Sequence, residues 1–236
     1  MSALSAAPAR PSTDPPSLNH ATLAEQVYHH LRREILNNAY PPEAALPESV
    51  IASQLRVSRV PVREALHRLA AEGLVTLRPR QGAVVSSLSH QQFLDAYRVR
   101  EALEELAIRL ALPQLDAADL AELSRLQDEM REHAARNDAD AFFAANRAFH
   151  ALFIERSNND YLKGIYFPLI DQMQRHVSPS LELRGGLGTS VEEHQAVLEA
   201  IRAGDADEAA RLLREHIHVP QRALEAHADS VTKGRA

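Results

Sequence analysis

Apolar residues recur every four positions at Leu23, Val27, Leu31 and Ile35, which predicts a helix with one buried face over roughly residues 22–37. Thr22-Leu23-Ala24-Glu25 has the form of a capping box at its start, and Pro41-Pro42 closes the segment that follows it. A short second helix is expected from Leu46-Pro47-Glu48 through Leu55, with Val50, Ile51 and Leu55 facing inward. Arg56-Val57 reads as a turn and Ser58 as the N-cap of a third helix, which carries Pro61 in its first turn. Val62, Leu66 and Leu69 form the core stripe of that helix, and Gly73 is its left-handed stop. Leu74–Leu77 and Ala83–Val85 then read as two β-branched strands around the basic turn Arg78–Gly82, which together make a wing.

From Ser89 onward only helical periodicity is found, in six segments near 89–112, 116–136, 138–157, 159–178, 190–203 and 205–227. Breaks fall at Pro113, Arg136-Asn137-Asp138, Ser157-Asn158-Asn159, the stretch Ser178 to Thr189, and Gly204. The expected fold is therefore mainly α: a disordered tail (1–18), a winged helix-turn-helix DNA-binding domain with a small β wing (19–87), an all-helical effector-binding and dimerisation bundle (88–228) and a frayed C-terminus (229–236).

Composition narrows the chemistry. The 236 residues contain no cysteine, which removes disulfides, zinc thiolates and thiol nucleophiles from consideration. No apolar run reaches the length of a bilayer span and the N-terminus lacks the form of a signal, so a cytoplasmic protein with no membrane partner is expected. The formal charge of −6 is uneven, with +2 over residues 21–88 and −8 over residues 89–236. A mildly basic N-terminal part on an acidic body favours a local footprint on double-stranded DNA.

Arg59 and Arg63 stand one helical turn apart at the start of the third helix, where such a unit meets the major groove. An arginine bonded to guanine O6 and N7 supplies roughly 1–3 kcal/mol of discrimination. Ser58 and the exposed donors of the helix start suit a phosphate, and Arg80 and Gly82 suit a phosphate or a minor-groove edge. The string LPESVIASQLRVSRVPVREALHRLAAEGLV, followed by the basic turn and Gly82, resembles the winged helix-turn-helix of GntR-type bacterial transcription regulators. The resemblance implies that Arg59 and Arg63 contact bases, that Ser58 and Val60 sit at the groove, and that Arg80–Gly82 is the wing tip. It also marks departures: Arg56 stands where the family usually has Gly, Asn38 and Glu43 replace glycines, and Val60 replaces a common Thr.

In the bundle, Asn146 and His150 lie four apart on a face shared with Phe142, Phe149 and Phe153. His194 falls in the stripe Val191, Leu198, Ile201, and His216 lies with Ala209, Leu212 and Leu213. Each histidine by itself reads as a hydrogen-bonded core or interface residue; three imidazoles converging from separate helices suit Zn, Ni, Fe or Mn. The series Asn146-x-x-Phe149-His150, Glu193-His194, Ile201-x-x-Gly204-Asp205-x-x-x-Ala209 and His216 resembles the FCD effector-binding domain of the FadR subfamily. In metal-binding members a carboxylate and three histidines at the positions of Asn146, His150, His194 and His216 hold a divalent cation, so this chain keeps the histidines and replaces the carboxylate with an amide.

Arg100 sits on an apolar stripe with Phe93, Ala96, Tyr97, Leu103 and Ala107, and so needs a partner. An internal salt bridge to Glu104 meets that need; so does the carboxylate of a ligand, which the resemblance favours because this domain commonly senses small organic acids. The resulting expectation is a DNA-binding regulator, a repressor and homodimer on an inverted-repeat operator, whose helical part binds a divalent metal of Zn, Ni or Mn type and an organic acid effector. The alternative is a metal-dependent enzyme, since three histidines with an open position can activate water.

Overall fold

The computed structural model describes residues 22–182 and 186–218. The expected tail at 1–18 and the frayed end at 229–236 lie outside them. The chain forms an N-terminal module with its own apolar core, followed by a helical module with a second core, and among the described residues no helix is long and apolar enough to cross a membrane.

Helix α1 (Leu23–Leu36) starts at Thr22, whose hydroxyl accepts the Glu25 N–H at 3.2 Å. Val27, Leu31 and Ile35 are buried as their spacing predicts, with Tyr28 beside them. Leu23 is 48% exposed, because the first residue of α1 projects past the end of the core it was expected to join. Helix α2 (Glu48–Leu55) follows Pro47, and α3 (Arg59–Ala71) follows Ser58. On α2 the buried residues are Ile51 and Ala52, while Val50 is 49% exposed. Adjacent positions on a helix point about 100° apart, so Val50 and Ile51 cannot both face a narrow core.

The wing forms as expected from β2 (Val75–Arg78) and β3 (Gly82–Val85), antiparallel with Val75 opposite Val85 and Arg78 opposite Gly82. A two-residue strand, β1 (Ala45–Leu46), adds to the free edge of β3, giving the order β1-β3-β2. Two residues carry no alternation, and β1 exists only through its long-range partner. Three of the non-glycine residues in left-handed backbone are Asn38 (φ 58°), Glu43 (φ 67°) and Arg56 (φ 55°), the positions where the family resemblance calls for glycine. Glu43 is held there by its N–H to Val85 O at 2.9 Å and by side-chain bonds from Arg78 and Ser87, each 2.6 Å.

The helical module comprises α4 (His90–Ala111), a 3-10 turn at Leu112–Gln114, α5 (Ala117–Ala135), α6 (Ala139–Arg156), α7 (Asp160–Glu182), α8 (Leu187–Arg202) and α9 (residues 206–218). Ser89 and Asp116 close full capping boxes on α4 and α5. The expected break between Ser178 and Thr189 is narrower than its composition implies, since helix persists to Glu182 and resumes at Leu187 after Gly186 at φ 90°. Phe142, Phe149 and Phe153 anchor α6 in the core, as their spacing predicts.

Helix α7 ties the two modules together. Asp171, whose side chain is 3% exposed, accepts Arg32 of α1 and, at 2.6 Å, Arg147 of α6. One residue on, Gln172 Nε2 donates to Glu72 O at 3.0 Å and lies over Gly73, where an added Cβ would come within 2.6 Å of it.

Candidate functional site

The phenylalanine row of α6 buries one face of that helix and turns His150 toward α4, α8 and α9. His150 Nδ1 meets Glu104 Oε2 on α4 at 2.5 Å, His194 Nδ1 meets Ser190 O within α8 at 2.6 Å, and His216 Nδ1 meets Glu193 Oε2 at 2.8 Å. A carbonyl oxygen or carboxylate accepts, so in each neutral ring Nδ1 holds the proton and Nε2 carries a lone pair. One donor atom from each of the three rings lies within 4.8 Å of the others, and the Nε2 atoms of His150 and His194 are 3.1 Å apart. Lone pairs facing each other at that distance in a buried site repel unless a proton or a metal ion is shared between them.

The donor set fits a divalent ion. Two nitrogens bound at about 2.1 Å to one metal with a right angle between them are about 3.0 Å apart, close to what the two rings present. Asn146 lies one turn before His150 and places Nδ2 at 3.0 Å from His194 Nε2; a half-turn of the amide would offer Oδ1 instead. All four residues singled out in the sequence therefore meet in one place, from α6, α8 and α9.

Glu104 is the hub beneath them. Its buried carboxylate accepts Arg100 Nε at 2.6 Å, Tyr166 OH at 3.0 Å and His150 Nδ1. Burial pushes its pKa up, but Arg100 and then His150 outweigh that and hold it near 2. Burial also pushes the Tyr166 hydroxyl well above its usual range, so it stays a donor. The salt bridge foreseen for Arg100 is thus present. The same guanidinium lines a cavity of about 480 Å3 with Asn146, Arg147, His150 and Tyr166, and among the described residues its terminal nitrogens make no hydrogen bond. Glu104 was visible as the i+4 partner of Arg100. Its contact with His150, and the parts of Tyr166 and Arg147, depend on helices that meet only in the fold, whereas Ser190 is the i−4 neighbour of His194 on α8.

At the other end of the chain Ser58, Arg59, Val60 and Arg63 are all exposed at the start of α3, Val60 by 61%. Ser58 makes no side-chain capping bond, which leaves its hydroxyl to an outside partner. Arg59, Arg63 and His67 form one wall of a groove of about 620 Å3, and Arg78, Arg80 and Gly82 of the wing form the other. Arg80 (φ 65°) and Gly82 (φ 82°) are both left-handed at the wing tip. Arg63 is not idle: Nε and Nη2 reach the two oxygens of Glu48 at 2.9 and 2.8 Å, a bond that lowers the Glu48 pKa.

Two family models match the chain, one for bacterial regulatory proteins of the gntR family over residues 23–85 and one for the FCD domain over residues 95–219. The HTH-type transcriptional regulator McbR of Escherichia coli (strain K12) is 29% identical over 196 residues, which cover 80% of this chain and 87% of that protein. A Paenarthrobacter nicotinovorans protein named "Probable D-xylose utilization operon transcriptional repressor" is 32% identical over 85% of this chain and 88% of its own length. The solved structure of E. coli McbR/YncC superposes with a TM-score of 0.74 at 27% identity, spanning 89% of this chain and all of that one. A putative GntR regulator from Rhodococcus sp. RHA1 shares the fold at a TM-score of 0.68 and 22% identity.

Proposed function

The chain belongs to the gntR family of bacterial regulatory proteins, in its FadR-type form with an FCD domain, and from that premise we propose that its helical module binds a divalent metal and a small organic acid to control operator occupancy. It is a DNA-binding transcription regulator with an effector-sensing domain, and not an enzyme. In this reading His150, His194 and His216 ligate the metal with Asn146 at a further position. Arg100 clamps the carboxylate of the acid beside them. The observation that carries the reading is the convergence of three buried imidazoles, one nitrogen from each within 4.8 Å of the others, whose rings are each held through Nδ1 by an oxygen acceptor, as metal-binding histidines are oriented. A set of imidazole nitrogens with one amide oxygen suits an ion of Zn, Ni or Mn type.

On the DNA side, Arg59 and Arg63 read base edges in the major groove, Ser58 and Val60 lie against the groove wall, and Arg80 and Gly82 follow the backbone from the wing. The protein acts as a cytoplasmic repressor and homodimer on an inverted repeat. Exposed Val99, Leu106 and Leu110 on α4, with Tyr161 and Ile165 on α7, supply apolar surface for the subunit contact. The test is a titration of the metal-stripped chain with Mn, Ni and Zn, then with a panel of small organic acids, each followed by operator binding in fluorescence anisotropy. The expected result is one ion per chain, lost in His194→Ala, and an acid that shifts operator affinity only in the metal-loaded chain. Binding of neither metal nor acid sinks the reading.

A further inference from the structure

The groove between α3 and the wing holds a side chain that can change its charge near neutral pH and that base reading by Arg59 and Arg63 does not use. His67 lines the groove one turn beyond Arg63 and two turns beyond Arg59, so the three stand in a row about 12 Å long on one face of α3. The ring is exposed, and among the described residues it makes no hydrogen bond or ion pair. Around it are Arg63 and Glu64 on its own helix, Glu48 at the start of α2, and Arg78 and Arg80 across the groove. Glu48 is the only acid among the described residues that line the groove. Its carboxylate accepts Arg63 Nε at 2.9 Å and Nη2 at 2.8 Å. Arg63 holds it below the usual carboxylate range against the upward push of burial, with smaller pulls from Arg59 and His67.

We propose that His67 takes over Glu48 when Arg63 turns to a base, so that specific DNA reading takes up a proton. This rests on the base-reading role given to Arg63 above and deepens it. A bidentate bond to a guanine needs two nitrogens of the same guanidinium fork that now holds Glu48, so the arginine gives up the carboxylate as it engages the base. Glu48 is then an uncompensated anion beside DNA phosphates, and needs a new cation. Arg78 already holds Glu43 at 2.6 Å, Arg80 is on the wing tip, and Arg59 stands at the base-reading end of the helix. His67, one turn from Arg63 on the same face, meets the need once it carries a proton drawn from solvent. The sign follows: the DNA-bound state holds more protons than the free chain, so affinity for a specific site rises as pH falls through the range where histidines titrate, about pH 6–7.

The experiment uses the full chain and the duplex it selects from a random-core library, with anisotropy titrations at about pH 6 and about pH 8 and at one salt concentration. His67→Gln sets the background from the other histidines. The gain in affinity on acidification is expected to be about two- to fivefold larger in the wild type than in His67→Gln, the scale of one exposed ion pair. In Glu48→Gln the same His67→Gln change is expected to leave the pH response unaltered, because the partner is gone. Melting at both pH values verifies that each variant is folded. Independently of any variant, calorimetry in two buffers of different ionisation heat is expected to show the wild type taking up about a few tenths of a proton per chain near pH 7 on binding the selected duplex. No uptake, or equal pH responses in wild type and His67→Gln, would overturn the exchange. So would a His67 effect that survives Glu48→Gln, since the partner would then be Glu64 or a phosphate. Arg63→Ala separates the two readings: if it binds the selected duplex as the wild type does, the base-reading role falls and the exchange falls with it. If it loses affinity while His67 carries no pH response, the exchange alone is overturned.

Discussion

Glu104 stays ionised in the interior because a guanidinium, a phenol and an imidazole all face it. Replacing it with glutamine keeps the shape and removes the charge, which leaves Arg100 buried without its counter-ion. Loss of one partner from such a pair costs about 3–5 kcal/mol, so Glu104→Gln is expected to lower the urea midpoint markedly. It should also weaken metal binding about tenfold or more in chelator competition, because the acceptor that orients His150 loses its charge. The folded pKa near 2 lies below the ordinary 4.5, so the stabilisation is complete above about pH 4.5 and fades as pH falls toward 2. The variant should therefore show a flatter acid limb than the wild type. Arg56 is a second case where one residue is decisive: at φ 55° it bears a strain that glycine would not. Arg56→Gly is expected to be neutral or to stabilise by up to about 1 kcal/mol, a gain trimmed by the greater freedom of the unfolded glycine chain, as thermal denaturation would reveal.

At the scale of the element, α3 is a helix whose outer face is held ready by α2. The Arg63–Glu48 bond is exposed, and such pairs contribute about 0–1 kcal/mol, so the arginine can turn to a guanine at little cost. If Arg63 reads a base as proposed, Glu48 would penalise any site that does not reward the exchange. Arg63→Ala is expected to lose about tenfold or more in operator affinity, and Glu48→Ala to bind random DNA more tightly and so narrow the specific-to-nonspecific ratio; paired anisotropy titrations measure both. Periodicity made most of this legible. The apolar rows of α1, α3 and α6 marked their inner faces, and left-handed Gly73 marked where α3 stops. It failed where position depends on what lies opposite: Leu23 and Val50 fit a spacing but sit past the rim of a small core, and β1 has no pattern of its own. The three histidines were visible on their stripes, whereas the contact that fixes His150 joins residues 46 apart in sequence, and no local signal encodes that.

For the whole molecule, the buried Asp171 joins helices of both modules through Arg32 and Arg147. Arg32→Gln removes one of these guanidinium links, so the two cores are expected to unfold at separate temperatures in calorimetry where the wild type shows more nearly one transition. A coincident transition in the variant would show that α7 holds the modules by packing alone. The neighbouring contact has a consequence of another kind. Gly73 lines neither the cavity nor the groove, yet a Cβ there would displace the Gln172 amide and break its bond to Glu72 O, on the α7 face that meets the N-terminal module. A genetic selection for alleles deaf to the effector should therefore return substitutions at codon 73. Their products would still bind metal and acid, and would carry the message no further.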